Sequence, residues 1–408
     1  MNTPKIRFKG FTDDWEQRKL GTLCSLITKG TTPKDKSGNG EVNFIKVENI
    51  NPDNGEIIVL SKISTEEHER YLKRSKLEED DILFSIAGTL GRVSVVKSNV
   101  LPANTNQAIA IIRVKEGYIP YLTTVLKGPA VEDFIRKNPT IGAQPNLSLE
   151  QVNNLDISYP KYEEQVKIGE YFKSLDDLIT LHQRKCDETK ELKKYMLQKM
   201  FPKNGEKNPE IRFEGFTDDW EQRKLIDYLD VSNEKNKKGD YKKTDVLSVS
   251  GEVGIVNQIE FQGRSFAGVS VENYGIVNEG DVVYTKSPLK ANPYGIIKTN
   301  KGKAGIVSTL YAVYKPKENT DSDFVQIYFE LDSRMNSYMH PLVNKGAKND
   351  MKVSDENALK GTVTFPKINE QKAISNFITE LDHLITLHQR KCEKLKELKK
   401  FMLQNMFV

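Results

Sequence analysis

Several polar stretches of the sequence carry the side chains with which proteins contact nucleic acid. Lysine and hydroxyl groups hold phosphates, asparagine and glutamine can pair with the edge of adenine, and glycine allows a close approach. In the first half of the chain the candidates are Lys29, Thr31, Thr32, Lys34, Lys36, Thr89, Arg92, Asn104, Asn106, Gln107, Gln144 and Asn146. In the second half they are Lys286, Ser287, Lys290, Asn292, Tyr294, Lys298, Asn344, Lys345, Lys348 and Asn349.

A single lysine is more often a solvated surface residue than a ligand for phosphate, so this prediction depends on the clustering of the candidates. Clustered in loops beside strands, they predict a DNA-binding surface. We expect Arg92→Ala or Lys348→Ala to weaken DNA binding by the assembled complex, and binding assays at two salt concentrations test this.

Motifs that would make the chain an enzyme are incomplete. Asn292-Pro293-Tyr294 lacks the second proline of the motif with which adenine methyltransferases hold a flipped base. No Walker phosphate loop occurs, and the Glu-x-Lys triplets that a magnesium nuclease would need lie in helical segments. We therefore expect no catalysis, with a self-contained nuclease or methyltransferase as the alternative.

Two His–Cys pairs could bind a metal ion. His182 and Cys186 are four residues apart, as are His388 and Cys392. Antiparallel pairing of two such helices could bring the four side chains together as a zinc site. Polar residues in a helical seam more often set the register, and cysteine is a common buried residue. We predict helix pairing without metal, while the zinc alternative stays open.

The same framework occurs twice along the chain. An opening segment, residues 6–20, returns at 211–225 with one difference, and residues 164–201 return at 370–407. The interiors between these blocks, roughly 21–160 and 226–366, barely resemble each other. This pattern predicts two heads that keep one geometry and recognise different targets; drift in one copy is the alternative.

Each repeated second block predicts a long helix, because its apolar residues recur at alternating steps of three and four. Such a helix has about 38 residues and a length of about 55 Å. One apolar stripe on a helix of this length requires a partner, and the other copy is the obvious one. The predicted pairing residues are Leu175, Ile179, His182, Cys186, Leu381, Ile385, His388 and Cys392. We also predict a shorter helix in the second head, capped by Asp323.

The predicted fold class is α+β, with two mixed α/β target-recognition domains joined by two long helices. The helices form an antiparallel coiled coil, and the tandem repeat is pseudo-two-fold. The predicted boundaries are 1–160 and 211–366 for the domains, 161–202 and 367–408 for the spacer helices, and 203–210 for a linker.

Composition agrees with a folded chain. The 408 residues are 37% hydrophobic and 29% charged, and the net charge of +4 permits a nucleic-acid partner without requiring one. Three scattered cysteines do not make a disulfide framework, and no signal peptide or membrane span is evident. We expect a cytoplasmic protein.

The chain resembles the specificity subunits of type I restriction–modification systems (the HsdS family). The resemblance covers the whole chain and depends on the order and duplication of individually weak motifs. They are Phe11, Trp15, Glu16, Lys19 and Leu20; Pro160 with Glu164-Gln165; Pro366 with Glu370-Gln371; Gly30 to Pro33; and Ser85 to Gly91. The second head departs from the last motif, with Thr285-Lys286-Ser287-Pro288 in its place.

The resemblance implies a non-catalytic subunit that recognises a bipartite, asymmetric DNA target. It implies assembly with two modification (methyltransferase) subunits and with two restriction (endonuclease and translocase) subunits. S-adenosylmethionine, ATP and Mg²⁺ would be bound by those partners, and this chain would hold no cofactor. A scaffold whose heads bind proteins instead of DNA is the remaining alternative.

Overall fold

The computed structural model describes residues 3–35, 37–137, 145–203, 205–286, 292–345 and 351–407. The chain forms two compact units: unit 1 is Met1–Lys185 with His388–Val408, and unit 2 is Cys186–Leu387. Each unit contains one head and a segment of each long helix. Head 1 is the part of unit 1 before the first long helix, and head 2 lies between the two long helices.

Short strands and helices alternate in head 1 before the first long helix begins. In chain order they are β1 (Glu16–Lys19), β2 (Cys24–Lys29), β3 (Val42–Ile45), β4 (Ser61–Ile63), α1 (Thr65–Glu69), β5 (Ile82–Ser85), β6 (Val93–Val95), β7 (Ala103–Thr105), β8 (Ile109–Val114), α2 (Ile119–Leu126), α3 (Pro129–Lys137), α4 (Leu149–Asn153), β9 (Asp156–Tyr159) and α5 (Tyr162–Lys199).

Head 2 has the same kind of alternation and leads into the second long helix. Its elements are β10 (Glu221–Lys224), β11 (Leu229–Val231), β12 (Leu247–Ser250), β13 (Gly254–Asn257), α6 (Gln258–Gln262), β14 (Gly275–Val277), β15 (Val282–Tyr284), β16 (Ile297–Thr299), β17 (Gly305–Val307), β18 (Ala312–Pro316), α7 (Ser322–Tyr328), α8 (Asp332–Met339), β19 (Asn344–Lys345), β20 (Met351–Lys352), β21 (Thr362–Phe365) and α9 (Ile368–Asn405).

Both heads are built on an equivalent four-stranded antiparallel sheet. Its order is β2-β8-β5-β6 in head 1 and β11-β18-β15-β16 in head 2. In both heads the opening segment adds a strand that pairs with the strand before the long helix, as β1-β9 and β10-β21. The repeated sequence therefore supplies the frame of each head.

The remaining sheets differ between the heads. Head 1 adds the three-stranded sheet β4-β3-β7, in which β3 and β7 run parallel. Head 2 instead has three separate two-stranded sheets, β12-β13, β14-β17 and β19-β20. The divergent interiors thus form different structures on one frame.

The long helices run antiparallel within each unit. In unit 1, Asp176 of α5 is bonded to Lys399 of α9, and His182 of α5 lies against His388 of α9. From the first contact to the second, the residue number rises along α5 and falls along α9, so the two helices run antiparallel. Mixed α/β heads with an antiparallel helix pair confirm the predicted fold class. Within the described residues, no helix is both long enough and apolar enough to cross a membrane.

The cap of α7 differs from the prediction. Asp321, not Asp323, precedes the helix, and its carboxylate accepts a hydrogen bond from the Phe324 amide at 2.8 Å. Asp321 and Asp323 are two residues apart, and α7 begins after Asp321. A helix that starts there buries the side chains of Phe324 and Val325.

Gly169 is the single glycine of the α5 sequence, and it lets the helix approach head 1. A Cβ atom there would lie 2.8 Å from Tyr118 Cδ1 and 2.9 Å from the Tyr121 amide nitrogen. We expect Gly169→Ala to lower the free energy of unfolding of unit 1 by about 1–3 kcal/mol, because overpacking forces neighbours apart. Urea unfolding measures this. Ser375→Ala, at the equivalent position of α9, is the control and should change the free energy of unfolding less. If Gly169→Ala has as small an effect as Ser375→Ala, the expectation is wrong.

Candidate nucleic-acid interface and its framework

The repeated opening segment and the start of the long helix meet at one buried carboxylate in unit 1. Arg7 donates from Nε and Nη2 to the two Glu164 oxygens at 2.6 and 2.8 Å, and Trp15 Nε1 donates to the same carboxylate at 3.2 Å. The Glu164 side chain is 1% exposed. The carboxylate raises the pKa of Arg7, first through this hydrogen bond. A two-point ion pair of this kind fixes orientation as well as distance.

Unit 2 repeats the arrangement with its own residues. Arg212 donates to the Glu370 carboxylate at 2.7 and 2.8 Å, and Trp220 Nε1 donates at 3.3 Å. The reason that arginine, tryptophan and glutamate recur at fixed places in both copies is therefore the attachment of each head to its long helix.

The glutamine that follows each glutamate makes a second link. Gln165 accepts from the Tyr118 amide at 3.0 Å and donates to the Pro160 carbonyl at 2.8 Å. Gln371 accepts from the Asp321 amide at 2.9 Å and donates to the Pro366 carbonyl at 2.9 Å. Both glutamines are fully buried. The Pro-x-x-x-Glu-Gln motif thus ties the helix start to the strand before it and to one helix of the head.

Four polar segments of head 1 are joined by backbone hydrogen bonds into one surface. Gly30 and Thr31 donate to the carbonyls of Ile109 and Thr105 at 3.1 and 2.9 Å. Ile86 donates to Ala108 at 2.8 Å, and Leu147 donates to Ile86 at 2.8 Å. The segments around residues 30, 87, 107 and 146 therefore lie side by side, although they are far apart in sequence.

Exposed candidates on this surface are Lys29, Lys34, Thr89, Gln107 and Asn146. Thr31 and Thr32 are half-buried beside them, and Thr32 is hydrogen-bonded to Gln107. The half-buried Asn106 accepts from the Ala108 amide at 3.2 Å and so shapes the turn.

Gly30 is required here by close approach. A Cβ atom would lie 2.1 Å from the Thr105 carbonyl oxygen and 2.2 Å from that of Asn106. Any side chain at this position would push the loop away from the sheet.

Arg92 was predicted to contact DNA, and the structure contradicts this. Its Nη1 donates to the carbonyls of Val47 and Ile50 at 3.0 and 2.8 Å, and its Nε is buried. The guanidinium holds the turn after β3 in place, so we now expect Arg92→Ala to destabilise head 1 rather than to remove a DNA contact.

Asn104 is a second correction. It is fully buried, its side-chain oxygen lies 2.5 Å from His68 Nδ1, and its amide donates to the Leu72 carbonyl and Ser75 Oγ at 2.9 and 3.3 Å. A side chain with these partners cannot pair with a base. It instead anchors the turn at residues 70–75 to β7.

The anchored turn carries two candidates that the sequence analysis missed. Arg74 Nε donates to Thr31 Oγ1 at 3.2 Å, and the Lys34 ammonium lies 4.6 Å from the ring centre of Tyr71. Arg74, Tyr71 and Lys34 are exposed. Aromatic rings together with cations are a known pattern of nucleic-acid binding, and the sequence Tyr71-Leu72-Lys73-Arg74 carried this signal.

The head 2 candidates are more engaged with protein. Lys286 forms an ion pair with Asp355 at 2.7 Å, and Asn292 donates to the Asp332 carboxylate. Tyr294 is half-buried, and its carbonyl accepts from the Tyr284 hydroxyl at 2.8 Å. These contacts favour a structural role in the loop.

Lys298 of β16 is half-buried among charged groups of unit 2. Its electrostatic neighbours are Glu330, Lys193 and Asp382, and burial lowers its pKa. These neighbours favour a structural role for Lys298, and its contact with DNA stays a prediction.

Some predicted residues cannot be placed. Asn344 and Lys345 form β19, whose backbone is described. The others lie outside the described residues: Lys36, Gln144, Ser287, Lys290, Lys348 and Asn349.

Head 2 also exposes residues that the sequence analysis did not consider. The Arg264 guanidinium lies 4.5 Å from the ring centre of Phe266, which is 56% exposed, and Phe261 nearby is 49% exposed. The aromatic–basic alternation of Phe261-Gln262-Gly263-Arg264-Ser265-Phe266 was the available signal.

The predicted pairing residues line the interior of each helix pair. Six are at most 9% exposed: Leu175, Ile179 and Cys392 in unit 1, and Cys186, Leu381 and Ile385 in unit 2. His182 and His388 of unit 1 are half-buried, with their Nδ1 atoms 3.0 Å apart. Among the described residues, no three His, Cys, Asp or Glu side chains are grouped closely enough to hold a metal ion.

The close contact of His182 with His388 predicts that unit 1 loses stability in acid. Burial, and then His388, lowers the pKa of His182 from its ordinary value of 6.5. Protonation of His182 is less favourable in the folded chain than in the unfolded one. The contribution of neutral His182 to the free energy of unfolding is therefore fully present above pH 6.5 and is lost as pH falls through the lowered pKa of the folded state. We expect the unfolding free energy of wild type to fall more between pH 7 and pH 5 than that of His182→Gln. Denaturant unfolding at each pH measures this, and coincident profiles would contradict it.

Comparisons with known proteins agree with this architecture. The chain matches the family described as type I restriction modification DNA specificity domain twice, over residues 12–191 and 217–397. A protein named as the MjaX type I restriction enzyme specificity subunit of Methanocaldococcus jannaschii is 24% identical, over 98% of this chain and 94% of that protein. The EcoBI specificity subunit of Escherichia coli is 29% identical over 38% of this chain and 34% of its own length. A crystal structure of a type I restriction–modification S subunit from M. genitalium shares the fold, with a TM-score of 0.62, 11% identity, and coverage of 100% of this chain and 99% of that one.

Proposed function

This chain belongs to the family of type I restriction–modification DNA specificity subunits, and from that premise we propose how it divides its work. Head 1 and head 2 each recognise one half of a bipartite, asymmetric DNA target. The observation that carries this proposal is the pair of equivalent frames bearing different interiors. The same Arg–Trp–Glu group attaches each head to its long helix, while the loops that each head exposes to DNA are different.

The DNA-contacting surface of head 1 is the joined set of loops that exposes Lys29, Lys34, Tyr71, Arg74 and Gln107. Lysine and arginine would hold phosphates, and glutamine offers both a donor and an acceptor to a base edge. In head 2 the counterpart is the exposed segment with Phe261, Arg264 and Phe266. Its arginine and aromatic rings supply charge and stacking surface.

The chemistry of the complex belongs to partner subunits in this proposal. The chain itself is non-catalytic, and it brings two modification subunits, and two restriction subunits where these exist, to the target. S-adenosylmethionine, ATP and Mg²⁺ are held by those partners. The complex acts on double-stranded DNA in the cytoplasm.

Methylation mapping tests the proposal. DNA from cells that express this chain with its modification partner should carry methyl groups at one bipartite sequence with two different half-sites. Omitting this chain should abolish sequence-specific methylation. Methylation that persists without the chain, or a continuous unsplit site, would refute it. Methylation or cleavage by the purified chain alone would refute its non-catalytic role.

A further inference from the structure

Each helix pair presents the same lysine–aspartate ion pair to its own head. In unit 1, Lys399 donates to Asp176. In unit 2, Lys193 donates to Asp382 at 2.7 Å. Both pairs are partly buried.

The head residue that meets this ion pair differs in charge between the units. In each head one backbone amide donates to the buried glutamine, that of Tyr118 in head 1 and that of Asp321 in head 2. The residue that meets the ion pair follows this amide by nine positions. Counting from 118 to 127 gives Lys127, and counting from 321 to 330 gives Glu330. A lysine and a glutamate therefore occupy equivalent places.

In unit 2 the charges balance. Lys193 donates to Glu330 at 2.6 Å as well as to Asp382, and Lys298 is the second cation nearby. Burial opposes the charge of Lys193, but the two carboxylates hold its pKa above the ordinary value. Two cations thus face two carboxylates.

In unit 1 the corresponding groups are two cations, Lys127 and Lys399, and one carboxylate, Asp176. Lys127 lies 4.0 Å from Asp176, a carboxylate already bonded to Lys399. Its side chain is 18% exposed, and its ammonium makes no hydrogen bond with the described residues. Burial, and the nearby Lys399, lower its pKa, while Asp176 opposes this only in part. One carboxylate at 4.0 Å, shared with Lys399, compensates only part of the cost of placing this ammonium in a largely buried side chain.

A cavity of about 690 Å³ opens beside this cation. Lys127, Lys399 and Asp176 line it, together with Thr124 and Tyr118. The other charged residues around it are exposed to solvent and belong to its rim: the carboxylates Glu56, Asp80 and Asp177 and the lysines Lys97 and Lys173.

We propose that this cavity of unit 1 binds a small oxyanion, a phosphate or carboxylate group, between Lys127 and Lys399. The ligand takes the place that the Glu330 carboxylate occupies in unit 2. It gives Lys127 and Lys399 a second anion beside the Asp176 carboxylate and thereby fastens head 1 to the helix pair of its unit.

A titration of the full-length chain tests the site. Inorganic phosphate and acetate are added separately, with chloride at equal ionic strength as the reference. Wild type should broaden the ³¹P signal of phosphate, or bind acetate in calorimetry. At one hundred times its dissociation constant, the bound anion should raise the thermal midpoint by about 5 °C or more. A response to phosphate alone assigns a tetrahedral anion, and a response to acetate alone assigns a carboxylate.

Variants at Lys127 provide the decisive comparison. Lys127→Glu supplies the missing carboxylate from the chain, so it should fold without added anion and lose the response to it. Lys127→Met should also lose the response, which keeps the test valid if Lys127→Glu does not fold. Lys173→Gln at the rim is the matched control and should respond like wild type. An equal response of wild type and Lys127→Met, or no response of wild type to either anion beyond that to chloride, overturns the proposal.

Discussion

Replacing Glu164 by alanine should destabilise unit 1 by about 3–5 kcal/mol, the usual effect of leaving one member of a buried ion pair without its partner. The change removes the acceptor for both Arg7 and Trp15, and all three side chains sit where the opening segment meets α5. Denaturant unfolding of the full chain measures the loss, and hydrogen exchange in β1 and β9 locates it. Equivalent strands of unit 2 should keep their protection.

The neighbouring residue supplies the control for this experiment. Glu163 is exposed and adjacent in sequence, so Glu163→Ala should change the unfolding free energy by less than about 0.5 kcal/mol. Equal effects of the two substitutions would show that the buried carboxylate is not what attaches head 1 to its helix.

The double substitution Lys34→Glu with Arg74→Glu should reduce DNA binding by the assembled complex at least a hundredfold. Two attractive charges become repulsive ones on the surface beside Thr31, and each lost phosphate or base contact contributes about 1–3 kcal/mol. The side chains are exposed, so the fold should persist. Binding to target duplex at two salt concentrations measures the change, with a shallower salt dependence expected.

A natural difference between the repeats offers the control for charge reversal. Lys9 of the first opening segment corresponds to Glu214 of the second, so Lys9→Glu introduces a residue that this frame already carries. It should leave binding within about twofold of wild type, since it lies on the frame rather than on the recognition surface. A comparable loss for Lys9→Glu would mean that net charge, rather than these loops, governs binding.

The sequence predicts the frame well because the frame is periodic and repeated. Apolar residues at helical spacing identify α5 and α9, and the need of each helix to bury one stripe predicts that the two helices pair. The role of the Arg7, Trp15 and Glu164 group was not predictable, since Glu164 follows the other two by about 150 residues and the tertiary fold, including the β1-β9 pair, brings them together.

Individual site residues were harder to predict because residue type indicates chemistry but not burial. Asn104 has the side chain of an adenine reader, yet the parallel pairing of β7 with β3 turns it into the interior. Arg92 carries a charge suited to DNA, yet two backbone carbonyls accept hydrogen bonds from it. Lys298 also carries such a charge, yet it is half-buried among charged groups of unit 2. Arg74 was missed for the opposite reason, since long-range contacts such as the hydrogen bonds of Asn104 bring that turn beside Thr31.

The central claim, that the interiors recognise DNA and the repeated segments only hold them, is tested most directly by duplicating one interior. In the hybrid chain, residues 226–366 are replaced by residues 21–160, and methylated sites are mapped in cells that express it with the modification partner. We expect methylation at a new target that contains the head 1 half-site twice and has lost the head 2 half-site. Continued methylation of the original asymmetric target by the hybrid would contradict it.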